Sequence, residues 1–217
     1  MAWKRFPIRL FLGVFILMSF ALFPDTVFAK EYTMGIVGIS SSVSGKDGSN
    51  MRTYIDMRTK EDPIEFANGV FMREMNVWLN QEGAKKGIAT VDLTEEWTEA
   101  RRNEAILQLS AGDPSTVVKA YTEKPDYLMY GNIAKFTVTH RESLGTNNIA
   151  IEVRLSAKIV EANSGKIVFV GIGKGTANNH DIDIGGNAPT DKISEYGWNI
   201  ALEKAMEDIM KKLVEEV

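Results

Sequence analysis

Apolar positions repeat with helical spacing in two parts of the chain and with strand spacing in a third. Ile64, Ala67, Phe71, Met75, Trp78 and Leu79 recur every three or four residues, which predicts an amphipathic helix. Pro63 stands where a first helical turn tolerates a missing N–H, and Gly83 is a stop signal. Trp198, Leu202, Ala205, Ile209 and Leu213 mark a long last helix, capped by Asp191 or Ser194 and running to about Glu215. Lys204, Glu207, Lys211 and Glu215 form its wetter side. Between Ile149 and Val160 the period is two. Ile149, Ile151, Val153, Leu155, Ala157 and Ile159 point one way, and Glu152, Arg154, Ser156 and Lys158 the other. Strict alternation predicts a strand with one packed face and one wet face.

That strand is the middle of a three-stranded meander. Before it, Leu128 to Val138 is apolar on both faces in part, as a strand under helices would be. After it, Asn163-Ser164-Gly165 lets the chain reverse into a third strand from Ile167 to about Ile172. Met34 to Ile39 reads as a first strand and Ile88 to Leu93 as a second. A further helix is expected to start at Thr94, with Trp97, Ala100, Ile106 and Leu107 on its apolar side, and to end at Gly112-Asp113-Pro114. A short helix follows through Val117, Val118 and Tyr121. Ser40–Asn50, His140–Asn148 and Ala177–Thr190 read as polar loops, and Met51–Asp62 as loop or irregular strand. The predicted fold class is α/β. A mixed sheet ends in a C-terminal antiparallel three-stranded meander, helices pack on it, and a long C-terminal helix closes the chain.

The first residues change where this fold is placed. Lys4, Arg5 and Arg9 precede an apolar run from Leu10 to Phe23, and Val27-Phe28-Ala29 has small residues where a signal peptidase reads. Residues 1–29 are therefore expected to be a signal peptide and 30–217 a single domain. The run is shorter than the roughly 20 apolar residues a spanning helix needs. No later stretch is a candidate membrane helix. The expected location is exported, periplasmic or extracellular. The net charge of −4 argues against nucleic acid or an anionic membrane as the main partner. The chain has no cysteine, which excludes disulfides, thiol catalysis and a cysteine-linked lipid anchor.

Candidate chemistry is sparse. Gly45-Lys46-Asp47-Gly48 lacks the spacing of a phosphate loop. Gly171, Gly173 and Gly175 are one residue short of a dinucleotide loop and lie on an antiparallel strand, so close backbone approach or a fraying strand end explains them better. His180-Asp181-Ile182-Asp183 has too few oxygen donors for a calcium loop. His140 and His180 have no evident nucleophile partner, and no Gly-x-Ser-x-Gly elbow is present. No catalytic residue, cofactor or metal ligand is assigned, and the chain reads as non-enzymatic. The polar strand face at Glu152, Arg154 and Lys158 is a solvated surface or a partner face, with the Ser40–Asn50 and Ala177–Thr190 loops as further contact surfaces.

Pro125-Asp126-Tyr127-Leu128-Met129-Tyr130-Gly131-Asn132-Ile133 and the strand, turn and strand from Ile151 to Val168 resemble the CsgG family of curli assembly and transport proteins and its soluble periplasmic relatives. The closing helix through Ala201, Lys204, Ala205, Ile209 and Leu213 is similar too. The resemblance implies an envelope-located, non-enzymatic protein built on a helix-flanked sheet. It depicts a protein-interaction module for cell-envelope or surface-structure assembly, whose partner is another envelope protein or a second copy. The alternatives are a subunit of a curli-type outer-membrane secretion channel and a hydrolase. A channel subunit inserts long amphipathic hairpins into the membrane, and the short polar segment His140–Asn148 opposes that reading.

Overall fold

A computed structural model describes residues 32–43, 51–143, 146–178 and 192–216. The expected signal peptide, most of the expected loop at 40–50 and His180 with its neighbours lie outside the described residues. The order is β1 (Tyr32–Ser41), α1 (Met51–Tyr54), β2 (Ile55–Asp56), α2 (Pro63–Trp78), β3 (Ile88–Val91), α3 (Glu99–Ser110), β4 (Tyr127–Ser143), β5 (Thr146–Glu161), β6 (Ile167–Asn178), β7 (Ile193–Ser194) and α4 (Glu195–Glu216). A π turn, Leu79–Gly83, extends α2, and a 3₁₀ turn, Val117–Ala120, follows α3.

The main sheet is ordered β3-β1-β4-β5-β6. β1 runs parallel to both β3 and β4, and β4, β5 and β6 form the predicted antiparallel meander. β1 is buried from Met34 to Ser40, as a strand covered on both faces must be. A small parallel pair, β2 with β7, sets Ile55 beside Ile193.

Capping fixes where the helices begin. The Asp62 carboxylate accepts from the Ile64 N–H at 2.8 Å, with Pro63 in the first turn of α2. Ser194 caps α4 by accepting from the Gly197 N–H at 3.3 Å. The expected start of α3 at Thr94 is corrected to Glu99, capped by Thr98. The Thr94 hydroxyl is engaged elsewhere, donating to the Ala120 carbonyl at 2.9 Å. The shift of start goes with a different buried face: Arg102, Ala105, Ile106 and Leu109 point inward, and Leu107 is 71% exposed.

One sheet face carries α2 and α4 over the larger core, which includes Phe71, Met75, Trp78, Val153, Leu155, Trp198 and Ile209. The other face carries α3 and the 3₁₀ turn over a smaller core of Val37, Trp97, Ile106, Leu109, Tyr121, Leu128, Tyr130 and Val160.

The glycine series of β6 lies in mid-strand, so strand fraying is excluded and close approach remains. A Cβ on Gly173 would lie 1.8 Å from the Ala205 carbonyl oxygen, and one on Gly175 1.7 Å from that of Ala201. Four residues of helix rise about 6 Å and two residues of strand about 6.6 Å, so the helix and strand repeats stay in step. Ala201 and Ala205 therefore seat on Gly175 and Gly173 in turn, and α4 lies directly on the strand.

Two further expectations are corrected. His140–Asn148 is not a loop: His140 pairs with Ile149, Arg141 with Asn148, Glu142 with Asn147 and Ser143 with Thr146, so both strands continue almost to the hairpin end. Likewise β6 continues to Asn178, past the expected end at Ile172, because the glycine seat keeps it paired with β5. Met51–Asp62 contains a helical turn and a two-residue strand.

Candidate interaction face

On the α3 side, β4, β5 and β6 present residues in rows set by their pairing register. Tyr130, Lys158 and Val170 form one row, and Asn132, Ser156 and Ile172 the next. Lys135, Arg154 and Lys174 follow, then Thr137, Glu152 and Thr176. Among the described residues no helix covers the β5–β6 part of this face. Alternation along β6 makes the reason local. Its inward positions, Phe169, Gly171, Gly173, Gly175 and Ala177, are buried under α4, while Ile167, Val170 and Ile172 face outward at 47%, 46% and 55% exposure.

Below these apolar side chains lies a cationic row. Glu152, in the next row, reaches into it, with Lys174 Nζ at 2.9 Å, Arg154 Nε at 3.1 Å and Lys135 Nζ at 3.9 Å. The hydrogen bond from Lys174, reinforced by Arg154, holds the Glu152 carboxyl below the usual glutamate range, against the effect of its partial burial. Three cations around one carboxylate leave a positive excess. The cations are about half exposed while Glu152 is 25% exposed, so that excess faces solvent.

The structure thus brings Glu152 and Arg154 together and adds Lys135 and Lys174, which the strand pattern alone did not single out. Lys158 stands apart. Its Nζ lies 5.9 Å from the centroid of the Tyr130 ring, in cation–π contact, with the Ser156 row between it and Arg154. A hollow of about 370 Å³ at the far end of the face is lined by Thr139, Ala150, Glu152, Thr176 and Asn178 among others.

The outer edge of β6 is shielded from α4. Lys204 Nζ donates to the Thr176 carbonyl at 3.1 Å, the Lys174 N–H donates to Asp208 Oδ2 at 3.3 Å, and Lys212 Nζ donates to the Ile172 carbonyl at 2.5 Å. The i, i+4, i+8 spacing on the helix matches alternate residues of the strand, for the same geometric reason as the glycine seat. Side chains bonded to outward backbone groups protect an edge strand from pairing with another chain.

A second polar cluster lies against the C-terminal half of β1. Arg102 is buried and donates from Nε to the Ile39 carbonyl at 2.8 Å and from Nη2 to Glu65 at 2.5 Å. The Asn68 side chain accepts from the Ile39 N–H at 3.0 Å. These contacts secure a bulge at Val37, next to Gly38 with its φ of 109°, and link α3 to α2. Sequence periodicity missed Arg102 because a charged residue on an apolar helix stripe reads as solvent-facing. His140 packs edge-on against the Tyr54 ring with centroids 6.3 Å apart. No group of three or more His, Asp or Glu able to hold a metal occurs among the described residues.

No protein-family model matches the chain, and no curated protein matches it either. Solved structures with similar folds include the hypothetical protein CT253 from Chlamydia trachomatis. It is 9% identical, with TM-score 0.44, over 85% of this chain and 94% of that one. Lipoprotein GNA1162 from Neisseria meningitidis is 10% identical, with TM-score 0.34, over 72% of this chain and 88% of that one. The LpoB C-terminal domain from Salmonella enterica is 11% identical, with TM-score 0.29, over 73% of this chain and 92% of that one. At these identities and scores the likeness carries no information about activity.

Proposed function

We propose that the chain is an exported, non-enzymatic, CsgG-like protein that acts as a protein-interaction module in assembly of the cell envelope or a surface structure. The observation that carries this reading is the half-covered second face of the sheet. α3 covers one half, and the other half exposes large apolar side chains next to a cationic row. A monomer with nothing to dock there would gain by replacing Ile167, Val170 and Ile172 with polar residues. The β4–β5 hairpin favours this reading over a secretion channel. Beyond the His140–Ile149 pair its arms hold the three pairs from Arg141–Asn148 to Ser143–Thr146. A transmembrane strand needs about 9 to 11 residues.

The test is photocrosslinking in cells from three positions: Ile172 and Arg154 on the open face, and Glu207 on the wet side of α4. The reading expects one recurrent partner from the first two and not from the third. No adduct from the open face, or the same adducts from all three positions, would overturn it.

A further inference from the structure

We infer that the open half of the second face is shaped and charged for an amphipathic helix with an acidic patch, donated by a partner protein and laid beside α3. This rests on the proposed function and names the partner's chemistry. The shape comes from the layers. The first face is covered by two helices, α2 and α4, while among the described residues the second carries α3 and the 3₁₀ turn. The step beside α3 is one helix deep. From β4 to β6 it spans about 10 Å at the usual strand spacing, close to one helix diameter.

A strand is disfavoured as occupant, because Lys204, Asp208 and Lys212 already engage the outward groups of the β6 edge. A flat bilayer is disfavoured as well, because α3 projects from the sheet beside the open half and would hold the surface away from Val170 and Ile172. The occupant therefore docks on the face, as a helix.

The charges set its polarity. Three rows, from Asn132–Ser156–Ile172 to Thr137–Glu152–Thr176, hold three cations and one carboxylate, on a chain whose net charge is −4. Val170 and Lys174 are four strand residues apart, about 13 Å, which a helix covers in a little over two turns. The partner helix thus carries apolar anchors for Ile167, Val170 and Ile172. About two turns further on, it places carboxylates between Arg154 and Lys174.

The experiment uses two synthetic helical peptides with the same leucine stripe. One carries glutamates two turns from the stripe and the other lysines there. Fluorescence anisotropy measures their affinity for the whole protein. The glutamate peptide is expected to bind at least 10-fold more tightly, with the difference shrinking as salt rises. The double reversal Arg154→Glu with Lys174→Glu should remove or invert that preference, and Val170→Asp should abolish binding of both peptides. Circular dichroism of the variants establishes that they are folded. Lys135→Glu, in the same row, gives a second charge variant should the double reversal not fold.

Equal affinity for the two peptides would overturn the inference, as would a preference unchanged by charge reversal. So would binding to phosphatidylglycerol vesicles without binding to the peptide, or self-association that Val170→Asp abolishes. The crosslinking experiment separates the two levels. Adducts at Ile172 that map by mass spectrometry to a non-acidic or non-helical segment leave the interaction module standing and sink the acidic helix. Absence of adducts alongside the expected peptide preference leaves the chemistry standing and sinks the envelope role.

Discussion

The two faces of β5 and β6 are built from alternate residues of the same strands, yet their construction has little in common. The inward face of β6 is stripped to glycine and alanine so that α4 can lie on the backbone itself. The outward face carries valine, isoleucine and lysine that meet no helix among the described residues. On the inward face a methyl at Gly173 or Gly175 meets the helix backbone, whereas the outward face is uncovered among the described residues. One face specifies the fold and the other is the face proposed to receive a partner.

The strongest challenge to this contrast is a side chain on the glycine seat. Gly175→Val would drive three carbons into the Ala201 carbonyl, and the expected loss of more than about 3 kcal/mol should leave little native protein in urea unfolding curves. A fully stable Gly175→Val protein would mean that α4 does not sit where described.

Arg102 tests the covered half of the second face. Arg102→Ala removes a charged hydrogen bond to the Ile39 carbonyl and the link to Glu65, and should cost roughly 2–3 kcal/mol in the same unfolding assay. The corresponding change on the open half, Arg154→Ala, should cost less than about 0.5 kcal/mol because its ion pair is half exposed.

The open half has its own pH signature. Because Lys174 and Arg154 lower the Glu152 pKa in the folded state, the stabilisation it brings is complete above the ordinary glutamate range. It is lost as pH falls through the lower folded value. Thermal midpoints between pH 3 and 7 should therefore converge for Glu152→Gln and the parent protein at the acid end. They should separate, with the parent higher, at neutral pH.

One expected effect has the opposite sign. The Tyr121 hydroxyl is buried with no hydrogen-bond partner among the described residues, and burial pushes its ionisation well above the usual phenol range. Tyr121→Phe should leave stability unchanged or raise it by about 1 kcal/mol. A marked loss would reveal a polar partner for that hydroxyl.

The inward face could be read along the chain because its causes are local. Alternation from Ile149 to Ile159 and the helical stripe from Trp198 to Leu213 each lie within one element, and the glycines of β6 signal close approach without a partner being known. The cationic row is not local, since it needs the register of three strands. Counting back from the turn, where Val160 pairs with Ile167, would place Arg154 beside Gly173. A bulge at Val168 adds one residue and brings Lys174 there. A second bulge, at Ala134, moves Lys135 opposite Arg154. The start of α3 was misplaced for a similar reason, because the Thr94 hydroxyl bonds to a segment far along the chain. His140–Asn148 reads as a loop because its residues are polar, yet backbone pairing extends both strands to Ser143 and Thr146.

The most direct test compares two neighbours on one strand, Ile172→Thr and Gly173→Ala, by equilibrium unfolding in urea. The two-face account predicts a change within about 0.5 kcal/mol for the first, which leaves an outward and half-exposed position. It predicts a loss of about 3 kcal/mol for the second, whose new methyl meets the Ala205 carbonyl. Equal losses, or a larger loss at Ile172, would contradict it.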